Sequence, residues 1–129
     1  MNDCTNSLPL ERSITNLMLD MGIPAHLKGY HYLREAILIS LKDEEAVTSV
    51  TKRLYPAIAK RFRTTDQKVE RAIRNAIEVS WCRGNTDTFQ NLFGYSLLCG
   101  RNRPTNSEYI CRIVDHVRLD ESTYLIQHT

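Results

Sequence analysis

A chain of 129 residues, 42% hydrophobic and 8% aromatic, has the size of one domain and enough apolar material for a packed core, which excludes intrinsic disorder. It has no apolar run of about 18 residues, so no membrane span is expected, and the polar start Met1–Ser7 lacks the pattern of a secretion signal, which places the protein in the cytoplasm. The net charge of +2 hides an uneven distribution: residues 1–51 carry −3, residues 52–83 carry +6 and residues 84–129 carry −1. A basic block confined to one quarter of the chain attracts a polyanion through counterion release, although an ordinary solvated helix face would carry the same charge.

The first predicted helix holds Leu10, Ile14, Leu17, Met18 and Met21 at helical spacing. Pro9 suits its first turn, Gly22 is placed to end it and Pro24 prevents its return. Residues 1–10 are expected to be an N-terminal tail. A second helix runs from about Gly29 to Lys42, with Tyr30, Leu33, Ile37 and Leu41 as its buried stripe and Tyr32 on the surface. A third covers about Glu44 to Leu54, capped by Asp43, with Val47, Val50 and Leu54 inward. A short helix, Pro56–Phe62, follows, and Arg63-Thr64-Thr65 breaks the pattern.

The next helix is long, about Asp66 to Arg83, and Gly84-Asn85 ends it. Thr64 and Gln67 have capping-box spacing, with Thr65 as an alternative cap. A short helix near Asp87–Phe93 and a last one near Asn106–Val117 complete the set, the latter with a capping box at Thr105 and Glu108 after Pro104. Residues beyond Arg118 are expected to form a loose tail. No segment alternates like a strand. The expected architecture is a compact all-α domain over residues 11–118, flanked by tails 1–10 and 119–129 and containing a helix-turn-helix at 55–82.

A helix-turn-helix needs a short positioning helix, a tight turn and a recognition helix. In the short helix Ile58, Ala59 and Phe62 form the inner face, and the small Ala59 allows close approach. Such turns often carry Gly, and here the position holds Arg63. In the long helix Val69, Ala72, Ile73, Ala76, Ile77 and Trp81 make one apolar stripe. Gln67, Arg71, Arg74, Asn75 and Glu78 share an outward face, beside Lys68 and Glu70. Arg can pair bidentately with guanine, Asn or Gln with adenine, and Glu can accept from cytosine. Gln67, Lys68, Glu70, Arg71, Arg74 and Asn75 are therefore the candidate base-reading residues. Lys52, Lys60, Arg61, Arg63, Thr64 and Thr65 lie just upstream, where phosphate contacts would set register without reading sequence.

Longer strings carry a resemblance. Gly22-Ile23-Pro24-Ala25-His26-Leu27-Lys28-Gly29-Tyr30, Leu54-Tyr55-Pro56, Val69 through Val79, Leu92-Phe93-Gly94-Tyr95 and Pro104-Thr105-Asn106-Ser107-Glu108 resemble the DNA-binding effector-domain family of stage zero sporulation protein A, the sporulation response regulators. The likeness runs from about Ile14 to Leu119. It implies a six-helix domain that binds a TGTCGAA-like heptamer, as a dimer or in tandem, with Glu70, Arg71 and Arg74 at bases or adjacent phosphates. That family usually has His at Asn75 and Arg at Lys68, so base preference there is expected to differ. The resemblance also implies a contact with the sigma subunit of RNA polymerase after the recognition helix, assigned to Thr88, Phe93 and Leu97. Phe93 reads somewhat better as core packing, and Leu97-Leu98-Cys99-Gly100 is more apolar than the family pattern. Only about ten residues precede the first predicted helix, so a phosphorylated receiver, whether removed or never present, is not expected to act within this chain, and binding is expected to depend on concentration alone.

Cys4, Cys82, Cys99 and Cys111 lack zinc-knuckle spacing and are expected to be free thiols. The histidines are scattered, and no nucleophilic triad, phosphate loop or carboxylate pair stands out. No enzyme activity, cofactor or metal is expected. The alternative to a DNA-reading regulator is a stand-alone interaction module that joins a full-length regulator or polymerase without reading DNA.

Overall fold

The computed structural model describes the backbone of residues 2–94 and 103–128, and the side chains of residues 9–94 and 103–119. Within the described residues lie seven α-helices: α1 (Asn2–Asp20), α2 (Lys28–Lys42), α3 (Glu44–Val47), α4 (Tyr55–Phe62), α5 (Asp66–Arg83), α6 (Thr86–Phe93) and α7 (Asn106–His128). A π-helical turn, Val50–Leu54, runs straight into α4. The described residues contain no strand, as the all-α reading expects. The described residues hold seven helices, one more than the six implied by the resemblance.

Local chemistry accounts for most boundaries. Gly22 takes φ +75 and closes α1, with its own N–H on the Leu19 carbonyl and the Ile23 N–H on that of Met18. Asp43 accepts from the Glu45 N–H at 3.1 Å and starts α3. The predicted helix to Leu54 nevertheless breaks after Val47. Thr48 Oγ1 donates to the Glu45 carbonyl at 2.9 Å, giving the backbone a competing local partner, and Ser49 leaves helical geometry. Thr105 and Glu108 form the expected reciprocal capping box at 3.2 Å in each direction.

Both chain ends differ from expectation. Pro9 lies inside α1, whose backbone is helical from Asn2 rather than from Pro9. Pro9 is exposed, so solvent can satisfy the carbonyl that its ring leaves without a donor. The backbone of α7 continues to His128, where a loose tail was expected. Residues 119–128 contain neither Gly nor Pro to stop it.

The core gathers around α2, which packs against α1, α3, α4, α5 and α7. A single apolar stripe is too narrow for so central a helix. Tyr30, Tyr32, Leu33, Ala36 and Ile37 are all buried, so Tyr32 is not the surface residue expected from its spacing. Its ring lies edge-on to Phe62, with centroids 5.1 Å apart. Phe62 in turn is 38% exposed and only partly on the inner face of α4.

One polar group crosses the core. Ser80 Oγ donates to the Met21 carbonyl and accepts from the Tyr109 hydroxyl, both at 2.6 Å, tying α5 to α1 and α7. Burial pushes the Tyr109 hydroxyl well above the ordinary tyrosine range. Ser80→Ala should leave the Met21 carbonyl without its side-chain donor and the Tyr109 hydroxyl with only the weak Met21 Sδ acceptor at 3.7 Å, and cost about 1–3 kcal/mol. A denaturant titration that leaves the midpoint unchanged would refute that role.

Candidate nucleic-acid interface

A short helix, a turn and a long helix lie where the helix-turn-helix is expected, at 55–82, and their join is unusual. Pro56 starts α4, where its missing N–H is harmless. α4 ends at Arg63, which adopts φ 54 and ψ 52 and is the one non-glycine residue at positive φ among the described residues. The Thr64 N–H returns to the Ala59 carbonyl at 2.9 Å. Thr65, rather than Thr64, caps α5 by accepting from the Lys68 N–H at 3.2 Å. The turn thus uses the left-handed geometry that favours Gly, with an arginine in its place.

That conformation costs an ordinary residue about 1–2 kcal/mol. Arg63→Gly should relieve it, set against a loss of about 0.5–1 kcal/mol from the greater freedom of unfolded glycine. The expected net is a stabilisation of up to about 1 kcal/mol, read by thermal unfolding. A clear destabilisation would mean that the Arg63 side chain holds the turn.

α5 divides as its sequence pattern expects. Val69, Ile73, Ala76 and Ile77 are buried, and Ala72 and Trp81 pack at the edge of the core. Ile58 and Ala59 of α4 are buried on the same side. Gln67, Lys68, Arg71, Arg74 and Asn75 are exposed, so no other described part of the protein covers this face. Glu70 is only half-exposed and forms an ion pair with Arg74 one turn on. Lys52, Lys60, Arg61, Arg63 and Thr65 are exposed and Thr64 is half-buried.

Ion pairing separates these cations. Arg74 is held by Glu70, and Arg61 by Glu35 of α2 at 3.3 Å. Lys60, Arg63, Lys68 and Arg71 form no salt bridge among the described residues.

Two concavities flank α5. The larger, about 980 Å³, includes Glu70, Arg74, Glu78 and Trp81 of α5 together with Thr51, Tyr55 and residues 103–107. Its charges are internally matched, since Arg103 pairs with Glu78 at 3.0 Å. Asn106 braces the same wall, donating to the Tyr55 hydroxyl at 2.9 Å and to the Glu70 carbonyl at 3.2 Å. The smaller, about 410 Å³, is bounded by Lys28, Tyr32, Thr64, Lys68, Arg71, Ala72 and Asn75. Lys28 and Tyr32 of α2 do not figure among the residues expected from sequence. Their only signal there is Gly29, a small residue in a helix that must pass close to a neighbour.

The residues assigned to polymerase contact fare differently from one another. Phe93 is buried, its ring stacked on Phe89 at 6.0 Å and tilted against Tyr109 at 5.8 Å. It packs with the core, the second of the two readings its sequence allows. Thr88 is half-exposed on α6. Leu97 lies outside the described residues.

The family model described as "Sporulation initiation factor Spo0A C terminal" matches residues 14–117. The chain belongs to this family. The Spo0A C-terminal family is the DNA-binding domain of a sporulation regulator and the effector domain of a response regulator. Membership favours a DNA-binding transcription regulator over the stand-alone interaction module, and a binding domain over a catalytic one. The matched span contains α2 to α6 entire, and thus the whole face of α5 described above.

Cys82 and Cys111 are free thiols, as expected, while the side chains of Cys4 and Cys99 lie outside the described residues. Among the described residues no three His, Cys, Asp or Glu side chains converge as a metal site. No described helix is long and apolar enough to cross a membrane.

Proposed function

We propose that this chain is a sequence-specific transcription regulator in the cytoplasm. In this reading α4, the Arg63–Thr65 turn and α5 act as a helix-turn-helix, and α5 enters the major groove of duplex DNA. The observation that carries this reading is the free face of α5. Gln67, Lys68, Arg71, Arg74 and Asn75 are uncovered together, on the opposite side of the helix from its buried stripe.

The pairing pattern refines the roles. Arg71 has no ion-pair partner among the described residues and is the first choice for bidentate reading of guanine, with Gln67 and Asn75 suited to adenine. Glu70 holds the Arg74 guanidinium, so its main effect is to orient that arginine rather than to read a base itself. Lys52, Lys60 and Arg63 meet phosphates, with hydroxyl donation from Thr64 and Thr65. Arg61 joins them only by leaving Glu35. Two copies bind tandem sites, and the exposed side of α6 around Thr88 faces the sigma subunit.

The test is a salt titration of binding to a duplex carrying a TGTCGAA-like heptamer and to a scrambled duplex. The heptamer should be preferred, and affinity should fall steeply with salt. Equal binding to both, or no binding at low salt, would overturn the reading. Lys60→Ala should weaken both duplexes alike and reduce the salt slope by about 0.9, one phosphate's worth. A change confined to the heptamer would instead assign Lys60 to base reading.

A further inference from the structure

We infer that the smaller concavity beside α5 is a seat for one phosphate of the DNA backbone, with Lys28 of α2 as a contact residue. The inference rests on the DNA-binding reading above. Three cations from two helices, Lys28, Lys68 and Arg71, bound a single hollow of about 410 Å³. None of the three forms a salt bridge among the described residues, and no acidic residue lines the hollow. Three uncompensated positive charges sharing one concave site repel one another, and an anion in the centre reverses the sign of that interaction. Tyr32, Thr64 and Asn75 add uncharged hydrogen-bonding groups to the same wall.

The opposite flank of α5 sharpens the assignment. Its larger groove holds Glu70 and Glu78 against Arg74 and Arg103, and both pairs are closed as salt bridges. A helix lying in the major groove has a phosphate backbone on each side of it. Among the residues that line the two hollows, the unpaired cations are those on the α2 side. The two flanks are therefore unequal, and the strand on the α2 side is the one held most tightly.

This juxtaposition is built by packing rather than by chain proximity. Lys28 is some forty positions before Lys68 and Arg71 in the chain. It meets them because Gly29 lets the first turn of α2 lie on the backbone of α5 at Ala72. Lys28 itself is exposed, so its replacement does not disturb that contact.

The experiment compares the protein with Lys28→Ala and Lys28→Arg on the heptamer and scrambled duplexes, and on heptamer duplexes bearing one methylphosphonate at each backbone position in turn. Lys28→Ala should lose affinity roughly three- to tenfold on both unmodified duplexes, with a salt slope shallower by about 0.9. Lys28→Arg should retain both. The unaltered protein should be weakened by neutralising one phosphate beside the α5 footprint, and Lys28→Ala should be indifferent to that same neutralisation. Unchanged affinity and slope in Lys28→Ala, while the unaltered protein binds, overturns this inference and leaves the DNA-binding reading standing. A loss in Lys28→Ala that no single methylphosphonate makes redundant also overturns it. Failure of the unaltered protein to bind any duplex overturns both.

Discussion

Gly29→Ala is expected to destabilise the fold by about 3 kcal/mol or more, against a typical total of about 5–15 kcal/mol. On an exposed helix the same change would stabilise by up to about 1 kcal/mol, because alanine is the better helix former. The sign reverses here through sterics. A Cβ on Gly29 would overlap the Ala72 carbonyl oxygen, and would sit 2.7 Å from the Ala76 Cβ and 2.9 Å from the Ala72 carbonyl carbon. These are mostly backbone atoms in the middle of α5, and no rotamer change can move them. α2 would have to lift from α5, opening the most extensive helix contact in the domain. Thermal unfolding should show a drop of roughly 10 °C or more. A rise in melting temperature would mean that the two helices are not in close contact at this point. The lifted helix would also carry Lys28 away from Arg71, so the variant should bind DNA less tightly even where it remains folded.

Arg71→Ala should cost roughly 1–3 kcal/mol of binding to the preferred duplex, about five- to 150-fold in affinity, with most of the preference over scrambled DNA lost. Three features make Arg71 the most informative position. It is exposed, it has no ion pair among the described residues, and it stands both on the outward face of α5 and at the rim of the basic hollow. Arg74→Ala should have the smaller effect, because the Glu70 carboxylate already offsets part of the Arg74 charge. Arg71→Lys should separate charge from geometry. Lysine keeps the attraction to the duplex but has no planar fork, so preference should fall further than affinity. Competition binding with both duplexes reads the two quantities at once. Retention of the full preference in Arg71→Ala would place base reading on another surface.

The exposed face proposed as the interface is legible in the sequence, and the reason is periodicity. Val69, Ala72, Ile73, Ala76, Ile77 and Trp81 recur at the spacing of one helical face, so the complementary positions had to point outward. Caps are equally local. Asp43, Gly22 and the Thr105–Glu108 box act over two to five residues and can be read from adjacent letters. Where two hydroxyl residues were adjacent, as at Thr64 and Thr65, spacing alone did not choose between them, because the choice depends on how the preceding turn is wound. The break after Val47 went unread for a similar reason. A Thr-Ser pair is tolerated in many helices and stops one only when the side chain finds the backbone carbonyl.

What lay beyond the linear pattern was every relation between residues far apart in the chain. Phe93 has the same neighbours in sequence whether it faces inward or outward, and its place in the core depends on α7 bringing Tyr109 against it. The closure of Arg61 by Glu35 and of Glu78 by Arg103 depends on how α2 and the loop before α7 meet the two central helices. Lys28 stands beside Arg71 for the same reason. Amino-acid order sets the periodic, capping and charge preferences of each helix, which act within about a turn. The distances that leave Arg71 free and Arg61 occupied come from helix crossings, which exist only once Gly29 and the apolar stripes have locked together.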